Sequence, residues 1–120
     1  MSHIVTIETK VHDRTAIIAA CRRLGLAEPN EGTTKLYSGE ASGLLLQLPG
    51  WTYPVVIDPL RGTVRYDNYG GAWGEDRHIG RFLQAYAVAR ATQEARRKGL
   101  SVTEEALQDG SIKVRIHEGV

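Results

Sequence analysis

The stretch Tyr66-Asp67-Asn68-Tyr69-Gly70-Gly71-Ala72-Trp73-Gly74-Glu75-Asp76-Arg77-His78 crowds aromatic, glycine and charged residues as no other part of the chain does. Three kinds of chemistry are open to it. Glu75 and His78 stand three residues apart, which places both on one face of a helix. Di-iron carboxylate bundles use such a pair, but they need a second copy and further glutamates from other helices. This chain has one copy, so a metal site would need a dimer. Gly70-Gly71 and Gly74 ahead of a helix could turn backbone amides toward an anion. The segment lacks the Lys-Ser/Thr of a phosphate loop, and Glu75 and Asp76 repel phosphate. The rings offer the third chemistry, because Trp and Tyr are favoured anchors at protein interfaces. Trp51, Tyr53, Tyr69 and Trp73 flank turns and glycines, where a large ring either plugs the end of a sheet or anchors a partner.

Elsewhere the chemistry is sparse. His3, His12, His78 and His117 have no close spacing and there is no C-x-x-C, so no metal site and no cofactor is expected. No Ser or Cys is placed beside a base by spacing. Cys21 lies on an apolar stripe and reads as a small core residue. Arg77, Arg81, Arg90, Arg96, Arg97 and Lys98 give the second helix a basic character. With Trp51, Trp73 or Tyr69 exposed, that helix could hold single-stranded nucleic acid. An enzyme reading would need a concave pocket holding His78, Asp76 and Tyr69 or Tyr66. The reading we carry forward is a non-enzymatic binding or adaptor module. Its candidate residues are Trp51, Tyr69, Trp73, Asp76, Arg77 and His78, presented to a protein partner or to a second copy.

The elements that must position these residues follow from periodicity. His3–Val11 reads as a strand, with Val5, Ile7 and Val11 on one face. Asp13 is a good N-cap for an amphipathic helix over Thr15–Leu24, whose stripe is Ile17, Ile18, Cys21 and Leu24. Gly25-Leu26 stops it. Four short strands follow, Thr33–Ser38, Gly43–Leu48, Tyr53–Ile57 and Gly62–Tyr69. Their links are too short for parallel crossovers, so they form an antiparallel meander. The second helix spans Glu75–Lys98, with Ile79, Phe82, Leu83 and Tyr86 buried. Past Tyr86 the stripe fails and alanines take over, so that half projects beyond the core or meets a closely approaching surface. Gly99-Leu100 repeats the first helix stop. Asp109-Gly110 signals a two-residue hairpin turn between Val102–Leu107 and Ser111–His117. Counting from it sets Glu104 opposite Arg115, with Ile112, Val114 and Ile116 toward the core. The expected fold is α+β, an antiparallel sheet with two helices on one face, in the order β-α-β-β-β-β-α-β-β.

The chain has 120 residues, 42% hydrophobic and 24% charged, with a net charge of +1. Residues 1–120 therefore read as one domain with one core. The near-neutral charge gives no field drawing it to nucleic acid or anionic lipid. No apolar run approaches the roughly 18–20 residues of a membrane span, and the start of the chain lacks the pattern of a secretory leader. A single cysteine allows no internal disulfide. Together these favour a cytoplasmic protein.

Several short blocks in order carry a family resemblance. They are Met1-Ser2-His3-Ile4, Trp51-x-Tyr53-Pro54, Tyr66-Asp67-Asn68-Tyr69-Gly70-Gly71-x-Trp73-Gly74, Gln84-Ala85-Tyr86-Ala87 and Asp109-Gly110-Ser111-Ile112. The chain resembles, over essentially its whole length, the domain-of-unknown-function family that includes the hypothetical chloroplast reading frame thirty-five proteins of plastids and cyanobacteria. The resemblance implies a bacterial or plastid cytosolic protein working beside an AAA-type ATPase. It brings no catalytic residue with it. The longer Trp51–Asp58 segment departs from the plastid pattern and speaks against a photosynthetic role.

Overall fold

A computed structural model describes residues 4–8 and 10–118, so the expected strand start at His3 lies outside the described residues. The elements run β1 (Val5–Glu8), α1 (Arg14–Arg23), β2 (Asn30–Leu36), β3 (Gly39–Leu46), β4 (Val55–Asp58), β5 (Thr63–Tyr66), a 3-10 turn (Tyr69–Gly71), α2 (Asp76–Arg97), β6 (Ser101–Ala106) and β7 (Ile112–His117). The first five strands form one antiparallel sheet in the order β1-β5-β4-β3-β2, and β6 and β7 form a separate hairpin. The α+β class and the element order are those the periodicity predicts. β2 to β5 make the expected meander, and β1 adds to its open edge along β5.

The helices begin and end for local reasons. The Asp13 carboxylate accepts from the Ala16 amide at 2.8 Å, which satisfies one free donor of the first turn of α1. At its end the Leu26 amide reaches back to the Cys21 carbonyl at 2.8 Å, and Gly25 to Arg22 at 3.2 Å. The same pair closes α2, with Leu100 to Ala95 at 2.9 Å and Gly99 to Arg96 at 3.0 Å. Both are the double bond pattern in which a glycine just past the helix satisfies its last carbonyls. The Tyr86 hydroxyl then fixes α1 to α2 by accepting from the amides of His12 and Asp13, each at 3.1 Å.

The main core lies between the two helices and one face of the sheet. Register alternation aligns Leu44, Ile57, Val64 and Ile7 across β3, β4, β5 and β1, with Leu46, Val55 and Tyr66 beside them. Ile17, Ala20, Cys21, Ile79, Phe82 and Tyr86 close over them from the helices. Ile18, expected on this stripe, is only half-buried and lines a cleft with Glu28, Pro29 and Glu31 instead.

The opposite face of the sheet is covered as well, by the chain's own hairpin. Leu36 and Ala41 of β2 and β3 pack on Val56, with Ile4, Leu45 and Tyr53 around them. In a flat sheet β3 and β1 would lie about 14 Å apart, three strand spacings. Here the hairpin tip at Gly39 approaches to contact with Ile4, within 4.0 Å of where a Cβ would stand. The β2–β3 hairpin therefore curls over the outer face. The bend is at Gly43, with φ 155°, where a Cβ would lie 2.4 Å from the Ile57 carbonyl oxygen. Only glycine fits so close an approach.

The last hairpin departs from expectation in two ways. Leu107 donates to the Ser111 carbonyl at 2.9 Å, so the loop is Gln108-Asp109-Gly110, three residues with Gly110 at φ 89°. That is the common three-residue loop ending in a left-handed glycine. The register shifts by one against the two-residue count: Thr103 faces Arg115 and Glu104 faces Val114. The Glu104 carboxylate instead pairs with Arg23 of α1 at 2.7 Å. Second, the hairpin's apolar face does not enter the core. Ile112 and Val114 are half-buried and Ile116 is 52% exposed. The hairpin lies along the alanine-rich half of α2, tied by Gln84 to the Gly110 carbonyl at 3.2 Å. The radius of gyration, 15.4 Å, exceeds the roughly 13.6 Å expected for this length, because the arm stands out from the sheet.

Two predictions follow from this packing. Gly43→Ala should destabilise by about 3 kcal/mol through the clash with the Ile57 carbonyl, whereas Gly80→Ala, on the open side of α2, should stabilise by about 0.5–1 kcal/mol. Urea unfolding of both variants checks the contrast. Burial, aided by Glu28, pushes the Cys21 thiol up from 9.0 to about 11. The folded state disfavours the thiolate, so this contribution is complete below pH 9 and is lost as pH rises through 11. Wild type should therefore lose more unfolding free energy than Cys21→Ala between those two pH values, and a thiol reagent at pH 8 should label Cys21 only in denaturant.

Candidate functional site

The Tyr66–His78 stretch is the joint between the sheet and α2, and its side chains divide between the two faces of the sheet. On the helix side, Tyr66 meets Trp51 edge to face, with ring centroids 5.4 Å apart. Trp51 is 5% exposed and donates its Nε1–H to the Glu75 carbonyl at 3.2 Å. Gly74 lies flat on the indole; a Cβ there would stand 2.3 Å from Cδ2. Asn68, also buried, donates to the Gly74 carbonyl at 3.0 Å and to the Asp76 carboxylate. Trp51 is thus core, the plug at the end of the sheet. Burial, with a smaller push from Asp76, raises the Tyr66 hydroxyl above its usual value.

On the outer side three rings gather around Trp73. Tyr69 stacks on it at 4.7 Å and 23° between planes. Tyr53 meets it edge-on at 5.6 Å, and Tyr37, from the tip of the β2–β3 hairpin, at 5.1 Å. Tyr69 and Tyr37 are exposed, at 49% and 63%, while Trp73 and Tyr53 are half-buried. The backbone beneath is tightly held. The Trp73 amide donates to the Asn68 carbonyl at 2.9 Å, and its own carbonyl accepts from Thr52 at 2.9 Å. Tyr69 sits at φ 48°, a left-handed conformation that costs a non-glycine residue roughly 1–2 kcal/mol. The strain places its ring on Trp73.

Asp67 is the residue the sequence gives least warning of. It is fully buried, and neither carboxylate oxygen has a hydrogen-bond partner. Tyr66 and Asn68 on either side of it both turn toward the helices. Alternation therefore sends Asp67 to the outer side, the side of Val56 and Tyr53.

The remaining candidates do not converge on these groups. Asp76 is held by Asn68. Arg77 is exposed and pairs with Glu75 at 3.0 Å. His78 is half-buried in a cleft of about 90 Å³ with Leu24, Leu26, Leu48, Pro49 and Arg81, on the helix side. Tyr69, Asp76 and His78 thus point three ways, and the pocket that an enzyme reading requires of them does not form. Glu75 and His78 find no third ligand: among the described residues no group of three or more His, Cys, Asp or Glu could hold a metal. The basic residues of α2 are also dispersed. Arg90 pairs with Asp13 at 3.5 Å and Arg97 with Glu94 at 2.6 Å, and Arg96 lines a groove facing Glu104. Arg77 and Arg90 are thirteen residues apart, which turns them about 140° from each other around the helix axis.

Sequence reasoning missed Tyr37 because its nearness to Trp73 comes from the curl of the hairpin, which leaves no local signal. It gave no reason to expect Asp67 to be sealed.

The two tryptophans should separate cleanly in stability. Gly74→Ala should expel the Trp51 ring, costing about 3 kcal/mol or more and shifting tryptophan emission to the red. Trp51→Ala should cost about 3–5 kcal/mol. Trp73→Ala, at a half-buried site, should cost under about 2 kcal/mol. Denaturant titrations of the three variants give the ranking directly.

Among the described residues no helix is long and apolar enough to cross a membrane. Set against known proteins, the chain finds no match to any family model, curated protein or solved structure, so the geometry of the aromatic corner stands on its own.

Proposed function

We propose that the chain is a cytoplasmic binding or adaptor module that acts without catalysis. Its working surface is the aromatic corner around Trp73, presented to a protein partner. The supporting observation is the gathering of Tyr37, Tyr53, Tyr69 and Trp73 into one contiguous group, with two of the rings more than 40% exposed. A monomer that buries Trp51 completely has the means to bury Trp73, and it leaves it half open. Aromatic clusters with rigid backbones beneath them are where interface energy concentrates, because two-torsion rings lose little entropy on contact. Arg77 and Glu75, four and two residues after Trp73 in the chain, form an exposed ion pair of the kind found at an interface rim. The family resemblance adds an AAA-type ATPase as the first partner to look for.

Affinity capture from a bacterial lysate, with the full chain immobilised, tests this. Wild type should retain a partner that Trp73→Ala and Tyr69→Ala lose by tenfold or more, about 1.4 kcal/mol per decade. Arg77→Ala should weaken it less, as rim charges do. The melting temperatures of these variants must stay near wild type for the result to count. Identical capture by wild type and both aromatic variants would end the proposal.

A further inference from the structure

The aromatic corner carries one feature that a simple apolar anchor does not need. By strand alternation the same side of the sheet also receives a carboxylate with no hydrogen bond, that of Asp67. Asp67 is 0% exposed, and both its oxygens lack a hydrogen bond. Its place in the chain ties it to the rings. It precedes Asn68, whose carbonyl accepts the Trp73 amide, and stands two residues before Tyr69, which stacks on Trp73. The cover on this side comes from Tyr53, Val56 and Ile4, with the hairpin tip closing over through Leu36 and Ala41.

Burying a carboxylate without donors is among the costlier things a fold can do. Native proteins leave such groups where an unfilled role explains them. Arg65, two residues earlier on the same face, is available by register, yet the chain does not bring it to Asp67: neither oxygen receives a bond from it. When ionised the group is an acceptor only, so what it then lacks is a donor, and the donor that a carboxylate favours most is a cation. The rings favour the same ligand. The faces of Trp and Tyr carry negative quadrupole charge and attract ammonium and guanidinium groups. An anion meets repulsion from both. Between the rings and the carboxylate there is little water to screen the field, since Asp67 has no solvent contact.

We propose that the Trp73 corner and Asp67 together form a receptor for an ammonium or guanidinium group carried on a partner's side chain. This inference rests on the corner being a partner surface and specifies the partner's chemistry: a basic segment that inserts a lysine or arginine head among Tyr37, Tyr53, Tyr69 and Trp73. The missing internal bonds of Asp67 are then supplied by the guest, and the stability forgone in the free protein is recovered on binding. Tyr37, in the two-residue turn of the β2–β3 hairpin, is the most exposed of the four rings.

The test uses the full chain with nitrogen-labelled tryptophan indoles, which report Trp51 and Trp73 separately by NMR. The probes are butylammonium chloride and butylguanidinium chloride, with sodium chloride and sodium butyrate at matched ionic strength. One or both cations should shift the Trp73 indole saturably and leave Trp51 nearly still; which of them does so distinguishes lysine from arginine. Asp67→Asn should weaken that titration at least tenfold and, without ligand, raise the melting temperature. A structural acid would behave oppositely, lowering the melting temperature on replacement. The proposal is overturned by absent saturation, by an equal response to butyrate, by unchanged affinity in Asp67→Asn, or by a lowered melting temperature in that variant. Should Asp67→Asn not fold, the contrast between butylammonium and butyrate on wild type decides alone. Partner capture separates the two readings. Loss in Trp73→Ala with retention in Asp67→Asn keeps the surface and removes the cation, and retention in both removes both.

Discussion

The seat of the Trp51 indole under Gly74 is the contact on which the rest of this structure depends. The sheet ends at Tyr66 and α2 begins at Asp76, and the chain between them has no regular hydrogen-bond ladder of its own. Trp51 supplies the missing link. Its ring covers Tyr66 below and Gly74 above, and its Nε1–H takes the Glu75 carbonyl. Asn68 does the same from the strand side through Gly74 and Asp76. With both anchors in place the backbone from Tyr69 to Trp73 has only one path. That path puts Tyr69 in a left-handed conformation and turns Trp73 outward. Burial of one tryptophan therefore fixes the presentation of the other.

The outer face obeys a second constraint, set by Gly43. A five-stranded sheet with helices on one side normally leaves its other side to water. This one has Val56, Leu45 and Ile4 there, too much apolar surface to leave open, and β2 and β3 extend well past β4. Bending at Gly43 lets the long hairpin fold back over its own sheet. The consequence reaches the candidate site, because the tip of that hairpin delivers Tyr37 to Trp73. Cover for a hydrophobic face and assembly of the aromatic corner are one event.

The parts of this fold that were legible in the sequence are those with local causes. Asp13 caps α1, Gly25 and Gly99 stop the helices, and short links force an antiparallel meander; each needs only neighbouring residues. The failures are equally physical. Asp109-Gly110 reads as a two-residue turn, but the chain includes Gln108 in the loop, and one extra residue slides every cross-strand pair. Ile116 looks like core by alternation, yet its hairpin has only the narrow flank of α2 to lie on. Trp51 and Trp73 stand in similar local company beside glycines and turns, and only the tertiary position of Gly74 decides which ring is buried. Five of the six residues picked out as a site lie within Tyr69–His78, but that joint, with Trp51 packed against it, faces both ways. It sends Trp51, Asp76 and His78 to one side and Tyr69 and Trp73 to the other.

Where a protein departs from its own rules is informative, and here several departures share one corner. Elsewhere Thr92 buries its hydroxyl without a hydrogen bond and Lys10 takes φ 56°, while caps are made, ion pairs are exposed or half-buried with partners, and the core is apolar. At the end of β5 a tyrosine adopts a strained backbone, a tryptophan stays half open, a tyrosine is carried across from a distant hairpin, and a carboxylate is buried without a bond. The buried carboxylate without donors is the costliest of the four, and the left-handed tyrosine adds roughly 1–2 kcal/mol. Asn at position 67, or an apolar residue, would suit a closed corner better than Asp. Electron-rich rings and a buried carboxylate favour the same kind of guest, and the proposed cationic contact would draw on both.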